Sequence, residues 1–226
     1  MPMLGNAVVL IWNDVADEGR DAFYEWHNNE HIPERLAIPG FIRGRRLRGD
    51  DAHPEWLTIY EADDLPVLTG ETYLERLNNP TPATRATVRH FRNTARSICT
   101  VSLSSGISTG GWICAARLDI AADAADGFAR HLGDMLFPAL TRHPSVLAAH
   151  LCDADTQASN IETNEAKERA FTVPTRIVLV EAATREAAEF AQQQFLHPAF
   201  RALCANPPAA DIYAMEITRL SAPQSP

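Results

Sequence analysis

Between Trp26 and Arg35 the chain reads W-H-N-N-E-H-I-P-E-R, which brings His27, Glu30, His31 and Arg35 into one short segment. On a helix, His27 and His31 are i and i+4 and stand one above the other, and Arg35 continues the stripe if the helix persists past Pro33. Imidazoles titrate near neutrality and suit proton transfer, while a guanidinium anchors a carboxylate or enolate oxygen. His31 is therefore the candidate general base or acid, with His27 as its partner or proton relay. Arg35 would orient a substrate oxygen, and Glu30 or Glu61 would fix an imidazole tautomer. The same spacing also describes a solvated helix face with an Arg–Glu pair. Glu61, at the end of a strand, equally suits a structural role.

The string His27-x-x-Glu30-His31 also spells H-x-x-E-H, the inverted zinc-peptidase signature, in which two helical histidines hold the metal and the glutamate activates water. A third ligand is needed. Glu71 and Glu75 are available, but no supporting motif marks them, and Pro33 interrupts a helix that the signature wants continuous. A metal is not expected on this basis. Phosphate loops of the G-x-x-x-x-G-K-[ST] and G-x-G-x-x-G types are missing, as is the G-x-S-x-G nucleophile elbow, so no nucleotide cofactor is expected. Cys99, Cys114, Cys152 and Cys204 are too dispersed for a zinc ribbon or a C-x-x-C redox pair and read as buried thiols.

These side chains need elements to hold them. Ala7–Asn13 is an apolar, β-branched strand, Asp17 to Leu36 a helix with an acidic start, and Pro39-Gly40 a break. Phe41–Arg48 alternates as a partly exposed strand; its Arg43, Arg45, Arg46 and Arg48 suggest a solvated edge or, less simply, an anion site in which Arg45 meets substrate. Trp56–Ala62 is the next strand. Helices follow from about Gly70 to Asn78 and Pro82 to Phe91, and strand Arg96–Leu103 completes a β-α-β-β-α-β order. Trp12, Tyr24, Trp26, Trp56 and Tyr60 either line an apolar pocket or fill the core.

The order recurs. Strands are expected at Trp112–Asp119, Val146–Asp153, Thr175–Ala182 and Asp211–Leu220, and helices at Asp123–Thr141, Arg185–Leu196 and after Pro198. A shift of 105 aligns Asp14 with Asp119, Phe23 with Phe128, Pro33 with Pro138 and Pro39 with Pro144. Beyond the second strand the shift becomes 120, where Tyr60-Glu61-Ala62 meets Val180-Glu181-Ala182. The extra residues fall at 155–172, a polar stretch that reads as a surface loop. The chain thus divides into repeat 1 at 1–104, a Gly/Ser linker at 105–111 and repeat 2 at 112–222. Each is a ferredoxin-like unit whose sheet carries helices on one face only. An α+β molecule follows, with two βαββαβ repeats burying their open sheet faces against each other.

At the shift of 105, His27, Glu30, His31 and Arg35 fall opposite Leu132, Met135, Leu136 and Leu140. A cluster needed for folding should persist in both copies, so this loss points to one functional site, in the first repeat.

The run from Trp26 to Phe41, followed by Arg43 and Arg45-Arg46, resembles the first-helix segment of the dimeric α/β-barrel superfamily, especially its EthD-like and muconolactone-isomerase-like members. That resemblance covers about residues 20 to 48 closely and the remainder by element order. It implies a tandem, intramolecular version of the dimeric barrel. Its members include isomerases, cofactor-free monooxygenases, polyketide cyclases, haem enzymes and proteins without known activity, so it does not select a reaction. Nothing marks one histidine as a haem ligand.

With 46% hydrophobic and 22% charged residues among 226, the composition is that of a globular protein. A net charge of −9 argues against nucleic-acid binding. No signal peptide or membrane span is visible at the start or within the chain, so a cytoplasmic protein with no membrane partner is expected. The expected partner is a small apolar organic substrate, aromatic- or polyketide-derived, handled without a cofactor by isomerisation, elimination, cyclisation or oxygenation. A non-catalytic metabolite-binding protein and a metal or haem enzyme are the alternatives. The molecule would be a pseudo-dimeric monomer or a homodimer.

Overall fold

A computed structural model describes residues 3–167 and 170–222, so positions 168–169 of the expected 155–172 loop lie outside the described residues. Eight strands, β1 (Ala7–Val15), β2 (Phe41–Arg48), β3 (Trp56–Ala62), β4 (Phe91–Gly106), β5 (Trp112–Leu118), β6 (Val146–Ala154), β7 (Arg176–Ala182) and β8 (Ala209–Leu220), close into one barrel in the order β1-β3-β2-β8-β5-β7-β6-β4. Every neighbouring pair is antiparallel. The halves contribute four strands each and meet at two seams, β2 with β8 and β4 with β6.

Strand pairing confirms the repeat register independently of residue identity. Asn13 pairs with Trp56 and Leu118 with Arg176, while Arg46 pairs with Thr58 and Leu151 with Val178. Those partners differ by 105 on one strand and by 120 on the other. Gly5 and Gly110 are equivalent too: a Cβ on either would lie 1.9 Å from a carbonyl oxygen, Ala62 in one half and Ala182 in the other. Only glycine permits so close an approach of the chain to the end of the neighbouring strand.

Closure fills the lumen with side chains, and helices cover the outer face of the strands beneath them. Every residue of β3 is consequently buried, and its period-2 polarity disappears. The lumen holds Leu10, Trp12, Leu57, Ile59, Ile113, Leu179 and Tyr213. Near one end it also holds charge, and here the edge-strand expectation for β2 fails. β2 lies between β3 and β8, and Arg43, Arg45 and Arg46 are buried. Arg43 forks onto Glu61 with hydrogen bonds of 2.8 and 2.9 Å, while Arg45 bridges Glu61 at 3.1 Å and Glu181 at 2.7 Å. Glu61 and Glu181 also accept the backbone N–H groups of Leu4 and Gly110. Fully buried carboxylates are tolerated because guanidinium and amide donors meet them together.

The first helix is composite: a 3₁₀ turn at Asp17–Gly19, α-helix at Arg20–Trp26, a π turn at His27–His31 and α-helix at Ile32–Leu36. Pro33 has no N–H to give to the preceding turn, and the widened turn before it absorbs the disturbance expected there. Repeat 2 does the same, with a π turn at Leu132–Leu136 ahead of Pro138. The helix thus runs to Leu36 and carries Arg35 on the buried face.

The insertion is no simple surface loop. Short helices Thr156–Ser159 and Asn164–Lys167 reach back onto repeat 1, and Ala158, Ser159, Thr163 and Glu165 are buried. Its ends are hydrogen-bonded to β4, Asp155 N–H to Ile98 O at 2.9 Å and Thr172 N–H to Thr94 O at 3.0 Å. Asn164 makes two hydrogen bonds to Asn78 at the end of helix Glu71–Asn78. A polar sequence suits this position because much of what it touches is backbone and polar side chain.

Candidate functional site

The buried face of the first helix lies on the outer side of β1, β3 and β2. His27, His31 and Arg35 are each under 5% exposed. The π turn stacks the two imidazoles at 5.7 Å between ring centres and 25° between planes. His31 also lies 4.2 Å from the Trp26 ring, and Trp26 is fixed by its Nε1–H bond to Thr84 Oγ1.

His27 has a defined proton inventory. Arg46 Nη1 stands 3.2 Å from its Nδ1. A guanidinium only donates, so Nδ1 accepts and the ring proton sits on Nε2, 3.3 Å from the Tyr60 hydroxyl. Burial, then the charges of Arg46 and Arg35, holds its pKa well below the usual histidine value. His27 is thus a neutral hydrogen-bond donor to Tyr60 and cannot act as the proton relay expected of it. Burial raises the pKa of Tyr60, so its hydroxyl stays protonated. Arg46 is held by Asn28 and Glu216 at 2.8 and 2.7 Å and lies over the Tyr24 ring at 4.4 Å.

His31 opens onto a small cavity of about 10 Å³, lined also by Asn13, Thr58, Trp26, Phe91 and Glu165. That is room for one water molecule. Arg35 donates to Glu165 of the insertion at 2.7 Å and also reaches Glu34 at 3.4 Å. The arrangement can therefore present an imidazole, two small polar side chains and a desolvated cation on an aromatic wall.

Several expected members lie elsewhere. Glu61 faces the lumen, on the opposite side of β3 from the histidines, so it orients no imidazole. Trp12 and Arg45 share that lumen, Trp12 under the guanidinium of Arg117 at 5.5 Å, so neither meets a molecule bound beside His31. Glu30 accepts a hydrogen bond from Thr81, the N-cap of helix Pro82–Val88, and joins two helices instead of touching a ring. Tyr24 is half-buried with its hydroxyl on Glu216, one layer outside His27. The structure thus assembles His27, His31, Arg35, Trp26 and Tyr60.

Asn13, Arg46, Thr58 and Glu165 were not among the expected site residues. Three of them carry the same signal as the histidines: in repeat 2, Asn13 becomes Leu118, Arg46 becomes Leu151 and Thr58 becomes Val178. Tyr60 likewise becomes Val180. The repeat comparison, applied to strands as well as to the helix, finds them.

The H-x-x-E-H segment does not fit a metal. His27 spends both ring nitrogens on Arg46 and Tyr60, an arginine cation stands beside it, and Glu30 is turned toward Thr81. Glu71 and Glu75 are exposed while His31 is buried. No group of three or more metal-binding side chains occurs among the described residues. Haem does not fit beside His31 either, where Trp26 stacks on the ring and the cavity admits one water. A concavity of about 280 Å³ lies elsewhere, along β8 between Arg48, Trp112 and Arg185. Its arginines are paired with surface carboxylates, Arg185 with Asp51 and Glu189 and Arg48 with Glu55, so the groove lacks a group poised for chemistry. Among the described residues no helix is long and apolar enough to cross a membrane.

No protein-family model matches the chain, and no curated protein matches it in sequence. Solved structures do match. An anthrone oxidase-like protein aligns with TM-score 0.66 and 14% identity over 95% of this chain and 92% of its own. A proposed monooxygenase from Fusobacterium nucleatum aligns with TM-score 0.58 and 8% identity over 96% of both chains. A proposed chlorite dismutase aligns with TM-score 0.58 and 11% identity over 93% of this chain and 94% of its own. With the closed eight-stranded barrel, these likenesses establish the fold: a tandem ferredoxin-like form of the dimeric α/β barrel.

Proposed function

We propose that the protein is a small-molecule enzyme that transfers protons at His31 on an apolar, aromatic-derived substrate, without nucleotide or metal. The observation that carries this reading is the replacement of a whole buried polar cluster, Asn13, His27, His31, Arg35, Arg46, Thr58 and Tyr60, by leucine and valine in an otherwise equivalent half. Burying polar and charged groups costs free energy unless they are fully partnered, and repeat 2 shows that the fold works without them. Among the isomerase, lyase, cyclase and oxygenase chemistries that suit such a site, cofactor-independent oxygenation is favoured by the anthrone oxidase-like and monooxygenase neighbours. His31 would act as base, the Tyr60 hydroxyl and Arg35 would bind oxygen atoms, and His27 would hold Tyr60 in place.

Anthrone with dioxygen is the first probe. Proton removal from its methylene carbon yields an enolate; that carbon bonds to dioxygen, the peroxide takes the proton back, and the hydroperoxide then loses its second methylene proton and hydroxide, together one water, to leave anthraquinone. One anthrone and one dioxygen thus become one quinone and one water. Oxygen uptake and quinone absorbance should rise together above the uncatalysed rate and fall on His31→Gln with folding intact. Turnover unchanged by that substitution overturns the assignment of His31. Binding without turnover of any enolisable aromatic ketone or acid favours the metabolite-binding reading.

A further inference from the structure

The cavity beside His31 is far smaller than the roughly 300–1,000 Å³ of ordinary ligand pockets, and what fills the space comes from the other half of the chain. Glu165 forms part of the wall of the His31 cavity and of a second small cavity, also about 10 Å³, lined by Leu77, Arg96, Thr163, Ala166 and Phe171. Its carboxylate sits at 2.7 Å on Arg35, whose guanidinium also lies 5.7 Å from the centre of the Tyr73 ring. Moving Glu165 away would join the two cavities around Arg35.

Glu165 stands on a segment of repeat 2 that is tied to the barrel on either side of it. Its ends are fixed to β4, at Asp155 and Thr172, whereas its middle is a four-residue helix, too short to be stable by itself. Among its contacts with repeat 1 are the Asn164 bonds to Asn78 and the Arg35–Glu165 pair. Withdrawing Glu165 alone would leave a desolvated guanidinium without that carboxylate, an expensive state. A second anion arriving as the first departs removes the penalty, and a neutral molecule does not.

Resting on the reading of the His31 cavity as a substrate site, we propose that Glu165 is a built-in occupant of an anion subsite at Arg35. The ligand binds by exchange: an aromatic molecule with a carboxylate or enolate oxygen takes the place of Glu165 on Arg35 and lays its ring between Trp26, His31 and Phe171. Repeat 2 therefore supplies the part of the site that selects charge.

The test compares 1-naphthoate with the neutral 1-naphthamide, titrated calorimetrically into the full chain and into Glu165→Gln. Removing the internal competitor should tighten naphthoate binding by about ten-fold or more and change naphthamide binding by less than about two-fold. Equal or weaker naphthoate binding in the variant, no naphthoate binding by either protein, or an equal gain for naphthamide overturns the proposal. Should Glu165→Gln fail to fold, hydrogen exchange on the unaltered protein decides. Saturating naphthoate should speed exchange of the Asn164–Lys167 amides, and unchanged or slower exchange overturns it. Both readouts are of binding, so a protein that turns nothing over can still pass, and an active enzyme can still fail.

Discussion

The two first helices are built alike and face their sheets with different residues. Both start with a 3₁₀ turn, both widen into a π turn ahead of a proline, and both lie on the outer face of four strands in the same register. Repeat 2 faces its sheet with Leu132 and Leu140, fully buried in a continuous apolar cluster. Repeat 1 faces its sheet with His27, His31 and Arg35. The π turn thus belongs to the fold and to Pro33 and Pro138, and is not by itself a mark of chemistry. What distinguishes repeat 1 is the content of the turn and of the three strands beneath it.

The largest effect that would sharpen this contrast is kinetic. His31→Gln should lower turnover of an accepted substrate by about 10² to 10⁴, the usual contribution of a positioned acid or base. Its counterpart Leu136→Gln should leave the Michaelis parameters within about two-fold, because Leu136 serves packing only. Equal losses in both variants would erase the functional distinction between the halves.

Next comes stability. Arg35→Ala removes the guanidinium from a buried carboxylate and should cost about 3–5 kcal/mol by denaturant unfolding, and Leu140→Ala in the other half should cost about 2–5 kcal/mol from its cavity. The causes differ, so the rescue should differ. Adding Glu165→Gln should recover most of the loss in Arg35→Ala and nothing in Leu140→Ala. Strictly additive effects in the Arg35 pair would contradict the buried ion pair.

A further effect, on pH dependence, is common to the two halves. Burial and Arg45 push His150 down to about 4, and His27 is also held well below its usual value. Both are neutral when folded and take up a proton near pH 6.5 when unfolded. Stability conferred by the neutral rings is therefore present above about 6.5 and falls as the solution is acidified toward 4, by about 1.4 kcal/mol per pH unit for each histidine. His150→Gln should flatten that slope by about one histidine's share. Unfolding midpoints measured across this range check both. The smallest effect is expected from Thr58→Val, which copies Val178 of repeat 2 and should alter stability by no more than about 1 kcal/mol.

Much of this was legible in the residues. Apolar runs gave the strands, and four shared residues at a spacing of 105 gave the duplication that strand pairing then confirmed. The placement of charge was harder to read. Alternation along β2 separates Arg43 and Arg45 from Arg46, yet all three are buried there, so a charged strand position does not mark solvent. Glu61 and His27 look equally available in sequence, and only the direction of β3 puts them on opposite sides of the sheet. The insertion misled for a related reason: its polar composition matches what it covers on repeat 1, where a peptide edge, an asparagine and a buried arginine await it.

The charges inside the barrel also bear on how such a molecule assembles. Repeat 1 brings two arginines, Arg43 and Arg45, against one carboxylate, Glu61; repeat 2 brings Glu181 beside a neutral His150, which stands where Arg45 does. Unlike halves cancel. Two copies of repeat 1 would enclose surplus positive charge, and two copies of repeat 2 surplus negative charge, each at a cost that complementary pairing avoids. If the chain were cut in the 107–111 connection, its fragments should find each other in preference to themselves. The lumen has become a lock that no longer admits the symmetric pairing its repeated architecture suggests.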